Sequence, residues 1–253
     1  MSKIIAITNQ KGGVGKTTTC VNLCCALKMI GKKVLIVDCD PQGNATSGMG
    51  VSKSKTPGAY ELLTSNADIL DCIVETPYGD VVPSNKDLSG ATVKLVLQEN
   101  REFVLKNALQ LVYNDYDYIF IDCPPSLALL TINALVAADS VIIPMQCEYF
   151  ALEGIADLMG SIRLCKKRLN PALSVQGIVL TMYDTRTNLT QQVTAELKNY
   201  FGDKVYETAI PRSVRLSEAP SHGKPGVSYD RIGKGSRAYM KLAYEFLARE
   251  GSK

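Results

Sequence analysis

Lys3-Ile4-Ile5-Ala6-Ile7-Thr8-Asn9-Gln10-Lys11-Gly12-Gly13-Val14-Gly15-Lys16-Thr17-Thr18 is the stretch that decides how the rest of this 253-residue chain is read. The β-branched run at 3–8 has the composition of a buried strand, and the glycine-rich stretch after it passes directly into a segment of helical period. In that segment Cys20, Leu23, Cys24, Leu27 and Ile30 recur at three- and four-residue intervals, and Gly31 stands where a helix is capped. Strand, glycine-rich turn and helix in this order make a cradle for phosphate. Glycines let the backbone curl until successive N–H groups point inward, and a helix opening at Gly15 adds the positive end of its dipole. The common pattern G-x-x-x-x-G-K-[ST] requires Gly at position 10, where this chain has Gln10. The loop is therefore a variant, with Lys11, Gly12, Gly13, Val14, Gly15, Lys16, Thr17 and Thr18 as the candidate phosphate-contacting residues. In such a loop Lys16 neutralises the β and γ phosphates and the Thr17 hydroxyl holds Mg²⁺.

Outward from this loop, strand-like and helix-like segments alternate. Strands are predicted at 33–38, 118–122, 141–145, 175–181 and 205–209, and helices at 101–112, 127–137, 152–168, 189–200 and 236–249. The region 43–90, rich in Gly, Ser, Thr and Pro, reads as loops and short helices. Repeated strand–helix–strand units predict an α/β fold, a mostly parallel twisted sheet with helices on both faces. No linker, repeat or low-complexity tract interrupts it, so one domain is expected over 1–253. In a parallel sheet the strand C-termini gather on the edge that holds the phosphate loop. Two predicted strands end there in carboxylates, at Asp38-Cys39-Asp40 and at Asp122-Cys123-Pro124-Pro125. Asp122 is the candidate Mg²⁺ ligand, Asp38 supports the metal or the loop, and Asp40 orients the water that attacks the γ-phosphate. Any one of them alone would pass for a turn residue or a helix cap.

Composition excludes other classes. With 46% hydrophobic and 21% charged residues and a net charge of +3, the chain has enough apolar matter for a core and is not a disordered one. Its longest apolar runs fall far short of the ~20 residues of a membrane span. The polar Thr8-Asn9-Gln10-Lys11 interrupts any signal-peptide apolar region, so a cytoplasmic protein is expected. No two of the eight cysteines stand in C-x-x-C spacing, which points to reduced core thiols, and the single His222 cannot build a histidine metal site. The small net charge hides an asymmetry: residues 1–162 carry 12 Lys and Arg against 17 Asp and Glu, whereas 163–253 carry 16 against 8. A basic final third fits a polyanion partner, or surface lysines kept for solubility.

With these residues in view, the sequence resembles the ParA/Soj family of partition ATPases, within the deviant Walker A group of P-loop NTPases that also holds MinD and the nitrogenase iron protein. The resemblance rests on Lys11 to Thr18, on Asp38-x-Asp40-Pro41-Gln42-Gly43-Asn44, on Asp122-x-Pro124-Pro125, and on Ile210-Pro211-Arg212 followed by Leu216-Ser217-Glu218-Ala219-Pro220. It implies that the chain hydrolyses ATP with Mg²⁺. Lys11 would be a signature lysine reaching the nucleotide of a partner in an ATP-dependent sandwich homodimer, which makes Lys11, Lys16 and Asp40 the catalytic set. It implies that Pro211 and Ser213 contact the adenine. Relatives often carry Asn at the position of Ser213, and the shorter serine leaves backbone contacts to serve the base. Met182 could flank the base, although a core methionine is the expected reading. The resemblance further implies non-specific DNA binding through Arg186 and Arg215, assisted by basic residues such as Lys198, Lys204, Lys224, Lys234 and Arg237. It implies a nucleoid-associated location and a ParB-like partner that stimulates hydrolysis during chromosome or plasmid segregation. No helix-turn-helix extension precedes Lys3, so operator-type repression is not expected. Two alternatives stand beside this. A MinD-like cargo-positioning ATPase would need a terminal amphipathic anchor, but the last predicted helix carries a core stripe at Tyr239, Leu242, Ala243, Phe246 and Leu247 with only 250–253 after it. An iron-protein role would need two cluster cysteines at the sandwich face, and neither Cys123 nor Cys147 has a setting that requires metal.

Overall fold

The structure, a computed structural model, describes residues 2–149 and 151–251. Strands β1 (Lys3–Ile7), β2 (Val34–Asp38), β3 (Asp80–Val82), β4 (Tyr118–Asp122), β5 (Ser140–Gln146) and β6 (Ser174–Thr181) form one sheet in the order β3-β2-β4-β1-β5-β6. Every pairing is parallel. From β1 the chain moves outward first to β2 and β3 on one side, later to β5 and β6 on the other, so the crevice at the C-terminal end of β1 is the topological switch point.

The central strands are apolar on both faces, as a sheet covered on both sides demands. Ile5, Ile7, Ile36 and Phe120 pack with Leu23 and Leu27 of helix α1 (Lys16–Met29) and with Tyr239 and Phe246 of the Lys234–Gly251 helix. On the opposite face Ile4, Ala6, Val37, Ile119 and Ile121 pack with Leu105, Leu135 and Leu158, from the helices Val104–Leu109, Leu129–Ala137 and Ala151–Arg168. Seven of the eight free cysteines are buried, behaving as small apolar side chains. No described helix is long and apolar enough to cross a membrane.

Strands predicted at 3–8, 33–38, 118–122, 141–145 and 175–181 correspond to β1, β2, β4, β5 and β6. The one predicted at 205–209 does not form. Val205 and Tyr206 are buried, which is what their apolar pattern reported, but they meet the sheet only through an isolated bridge to Ile178. The Val205 carbonyl is taken by Arg249 Nη2 at 3.0 Å, and that guanidinium lies 4.0 Å from the Tyr206 ring centroid, so a side chain stands where a strand neighbour would be. Gly177 of β6 permits this approach, because a Cβ there would lie 2.4 Å from Tyr206 Cε2. In exchange β3 arises inside the region read as loops and short helices; at three residues it is too short to show a period. The rest of 43–90 does hold short helices, among them α2 (Asn44–Gly48). A helix forms at Leu88–Val96 where none is predicted, and the predicted 101–112 helix contracts to Val104–Leu109 followed by a 3₁₀ turn at Gln110–Val112.

Candidate functional site

At the end of β1 the chain turns through two left-handed glycines, Gly13 at φ 75° and Gly15 at φ 84°, before α1 begins. No side chain caps α1 and its first turn holds no acid, so the N–H groups at its start are uncommitted and available to an anion. Asn9 braces the loop: its Nδ2 donates to Pro144 O at 2.8 Å while its Oδ1 accepts the Lys11 N–H at 3.0 Å. Three loop carbonyls are also occupied. Lys11 O accepts from Lys16 Nζ (2.9 Å), Gly13 O from Gln146 Nε2 (3.1 Å) and Val14 O from Thr181 Oγ1 (2.8 Å). The Lys11 side chain runs over Gly154 on the Ala151–Arg168 helix.

The carboxylates gather beside this loop. Asp38 and Asp122 are register partners at the ends of β2 and β4, and both are fully buried. Thr17 Oγ1 donates to Asp122 Oδ2 at 2.7 Å, whereas Asp122 Oδ1 is buried with no hydrogen-bond partner. Burial, and then the nearby Asp38 charge, push the Asp122 carboxyl well above the usual carboxylate range, against the pull of Thr17 and Lys16. Burial likewise raises Asp38 to about 6, opposed by donors from Thr46 and Asp40. Those donors commit Asp38 to its own loop: Thr46 N and Oγ1 reach Oδ2 at 2.8 and 2.7 Å, and Asp40 N reaches Oδ1 at 3.2 Å. Thr46 lies in α2, so Asp38 ties that helix to the sheet. Asp40 accepts the Gln42 N–H at 2.9 Å, and its carbonyl takes Ser84 Oγ at 2.8 Å. Lys16, 7% exposed, has its ammonium pushed down by burial, with Asp122 and Asp40 opposing.

An orphaned buried carboxylate oxygen beside a threonine hydroxyl is a donor set that fits Mg²⁺, a hard cation that takes few protein oxygens and completes its shell with water and phosphate. Among the described residues no group of three or more His, Cys, Asp or Glu makes an all-protein cage.

Next to Gly15 and Thr18 a cleft of about 310 Å³ opens, lined by Met182, Pro211, Ser213 and Tyr239 among others. Pro211 and Ser213 thus stand together on one wall of a cavity that adjoins the phosphate loop. Met182 corrects the reading as a core residue: it is 36% exposed, lines the cleft, and holds φ at 49°, a backbone conformation uncommon for a side chain of its size. The turn is set from outside, because the Tyr183 N–H donates to Ile210 O at 2.9 Å and Tyr183 bridges Pro211.

The same bridge ties together the segments that carry Arg186 and Arg215. Both guanidiniums are exposed and ion-paired, Arg186 through Nε and Nη2 to the two oxygens of Asp184 (2.9 and 2.7 Å) and Arg215 through Nη1 to Glu218 (2.5 Å). Of the assisting lysines, Lys198 pairs with Glu207 and Lys204 donates to Val175 O, so these two have structural partners. Sequence reasoning did not find Thr46, which reaches back to Asp38, or Ser84, Gln146 and Thr181, whose roles depend on neighbours tens of residues away.

The chain is similar to known proteins along most of its length. A family described as an AAA domain matches residues 2–175. The chain is 57% identical over 251 residues to the sporulation initiation inhibitor protein Soj of Bacillus subtilis (strain 168), covering 98% of this chain and 99% of that protein. It is 52% identical over 255 residues to the chromosome-partitioning ATPase Soj of Treponema pallidum (strain Nichols), covering 100% of both. A crystal structure of cobyrinic acid a,c-diamide synthase from Mycobacterium smegmatis, with bound ATP analogue and magnesium, matches with a TM-score of 0.87 at 35% identity, over 100% of this chain and 97% of that one.

Proposed function

The chain belongs to the ParA/Soj family of chromosome-partitioning ATPases, and on that premise we propose that it uses ATP hydrolysis to time its hold on DNA, acting as one unit across residues 1–253. The observation that carries the reading is the grouping of buried Lys16 and Asp122 with half-buried Thr17, next to the Gly15 and Thr18 wall of a cleft large enough for a nucleoside. The N–H groups of residues 12–18 and the Lys16 ammonium bind the phosphates; the ammonium is already desolvated by burial, so its field acts strongly on a polyanion. Pro211 and Ser213 hold the base. Thr17 and Asp122, with Asp38 behind them, would hold Mg²⁺, which when bound would offset the negative charge that develops on phosphoryl transfer. Asp40 orients the attacking water. Lys11, delivered from a second copy of the chain, adds a further cation to the transferring phosphoryl and makes hydrolysis conditional on dimerisation.

DNA binding follows from the same dimer. Arg186 and Arg215 contact phosphates without reading sequence, and pairing two copies doubles the number of neutralised phosphates. Because log K falls with log salt at a slope of about −0.9 per phosphate contacted, that doubling turns weak attachment into retention. A ParB-like protein that speeds hydrolysis then releases the chain from the nucleoid. Replacing Lys16 by Ala tests the scheme: ATP-dependent retention on DNA should disappear, and retention equal to that of the wild type would refute it.

A further inference from the structure

The phosphate loop contains two glycines with positive φ, and such a loop has no local reason to keep its peptides in one orientation. Gly13 and Gly15 lack the Cβ that would bias them, and the intervening Val14 is a single residue between two free hinges. A planar trans peptide points its C=O and the following N–H in opposite directions. Whatever holds Gly13 O therefore aims the Val14 N–H, and whatever holds Val14 O aims the Gly15 N–H.

Both carbonyls are held by one cross-strand pair. Gln146, the last residue of β5, and Thr181, the last of β6, are register partners. Gln146 Nε2 donates to Gly13 O at 3.1 Å and also lies 2.6 Å from Met182 Sδ. Thr181 Oγ1 is buried and donates to Val14 O at 2.8 Å, with Met145 O at 3.1 Å. We infer that Gln146 and Thr181 are positioning residues: by drawing two loop carbonyls to the side of β5 and β6, they hold the Val14 and Gly15 N–H groups toward the phosphates before any ligand arrives. Neither touches the reacting atoms. This inference rests on the reading of residues 11–18 as a nucleotide site, and it adds that the loop's order is imposed by a strand pair more than 130 residues away.

The test separates the phosphate half of the ligand from the base half. Binding of inorganic tripolyphosphate with Mg²⁺, and of adenosine, is measured by calorimetry on the full chain as wild type and as Thr181→Val, Thr181→Ser and Gln146→Met. Valine keeps the shape of threonine and removes the donor; methionine keeps the length of glutamine and removes its amide. Each loss should weaken tripolyphosphate binding about tenfold, the worth of one well-placed hydrogen bond of roughly 1.4 kcal/mol. Adenosine affinity should stay within about twofold in Gln146→Met, since Gln146 does not line the base cleft as Thr181 does, and Thr181→Ser should restore tripolyphosphate binding. Tripolyphosphate affinity unchanged in both Thr181→Val and Gln146→Met overturns the inference, as does an equal loss for both probes, which would mark a general distortion. A wild-type protein that binds neither probe instead overturns the nucleotide-site reading on which the inference stands.

Discussion

Replacing Thr46 by valine is the perturbation whose cost the structure lets one work out most fully. Thr46 is completely buried, and its Oγ1 donates to Asp38 Oδ2 at 2.7 Å while accepting the Ser84 N–H at 2.8 Å. Valine fills the same volume, so no cavity term enters, but both bonds are lost. A hydrogen bond to a charged group contributes about 1.5–3 kcal/mol, and a stranded buried N–H costs about 1–3 kcal/mol. The Thr46 N–H still reaches Asp38 Oδ2 at 2.8 Å and limits the damage. The lower ends of the two ranges are therefore the relevant ones, about 2.5 kcal/mol in sum. For a chain of this length about 1 kcal/mol moves the melting temperature by roughly 2–4 °C, so thermal unfolding of the nucleotide-free protein, followed by circular dichroism, should show a drop of roughly 5–10 °C. Thr46→Ser keeps the hydroxyl and should fall by much less. A Thr46→Val protein melting within about 2 °C of wild type, or a serine variant that loses as much as the valine one, would refute the assignment of this hydroxyl as the bond between α2 and the sheet. Because Ser84 in turn holds the Asp40 carbonyl, the valine variant should also hydrolyse ATP more slowly at temperatures where it remains folded.

Three further outcomes are expected. Asp40→Ala should bind ATP and dimerise yet hydrolyse poorly, so that it accumulates on DNA; faster turnover, or loss of the dimer on sizing columns, would remove Asp40 from its role in orienting water. Gly177→Ala should destabilise by about 1–3 kcal/mol in urea unfolding, because the new methyl would lie 2.4 Å from the Tyr206 ring; unchanged stability would mean that β6 and the 205–206 segment are not in tight contact. The Asp38 carboxyl is raised in the folded protein to about 6, so its contribution favours the fold fully below the unfolded value near 4 and is lost as pH climbs through about 6. The stability of wild type relative to Asp38→Asn, both free of nucleotide and Mg²⁺, should therefore decline between about pH 4 and 6.5, and a difference that is flat or rises over that window would contradict the burial argument.

The parts of the site that sit within one turn of chain are legible from the residues alone. Lys11 to Thr18 announce themselves because glycines, lysine and threonine act there through their own backbone and their own side chains, and because the strand before and the helix after are written in local periodicity. Asp38 and Asp122 could be placed at one edge because parallel strands of known direction put their ends together. The divided charge of the chain is likewise a matter of counting along it. Val205 and Tyr206 show the limit: their pattern reported burial correctly, but burial is a property that a strand neighbour and a covering Arg249 supply equally well.

Met182 fails in the opposite sense. Its apolar side chain pointed to the core, yet the bond from the Tyr183 N–H to Ile210 O turns the backbone over and leaves the thioether lining the cleft. The sequence by itself determined the alternation of strands and helices, the phosphate-binding loop and the carboxylates at the strand ends, since all of these depend on residues near in the chain. Only the tertiary structure decided which oxygen of Asp122 stays unpartnered, that Thr46 anchors α2 to Asp38, and that Gln146 and Thr181 hold the loop carbonyls. A hydrogen bond needs its partner within about 3 Å, and for Gln146 and Thr181 the partner is brought there by strands that meet only in the folded sheet, for Thr46 by the turn that carries the chain from β2 into α2.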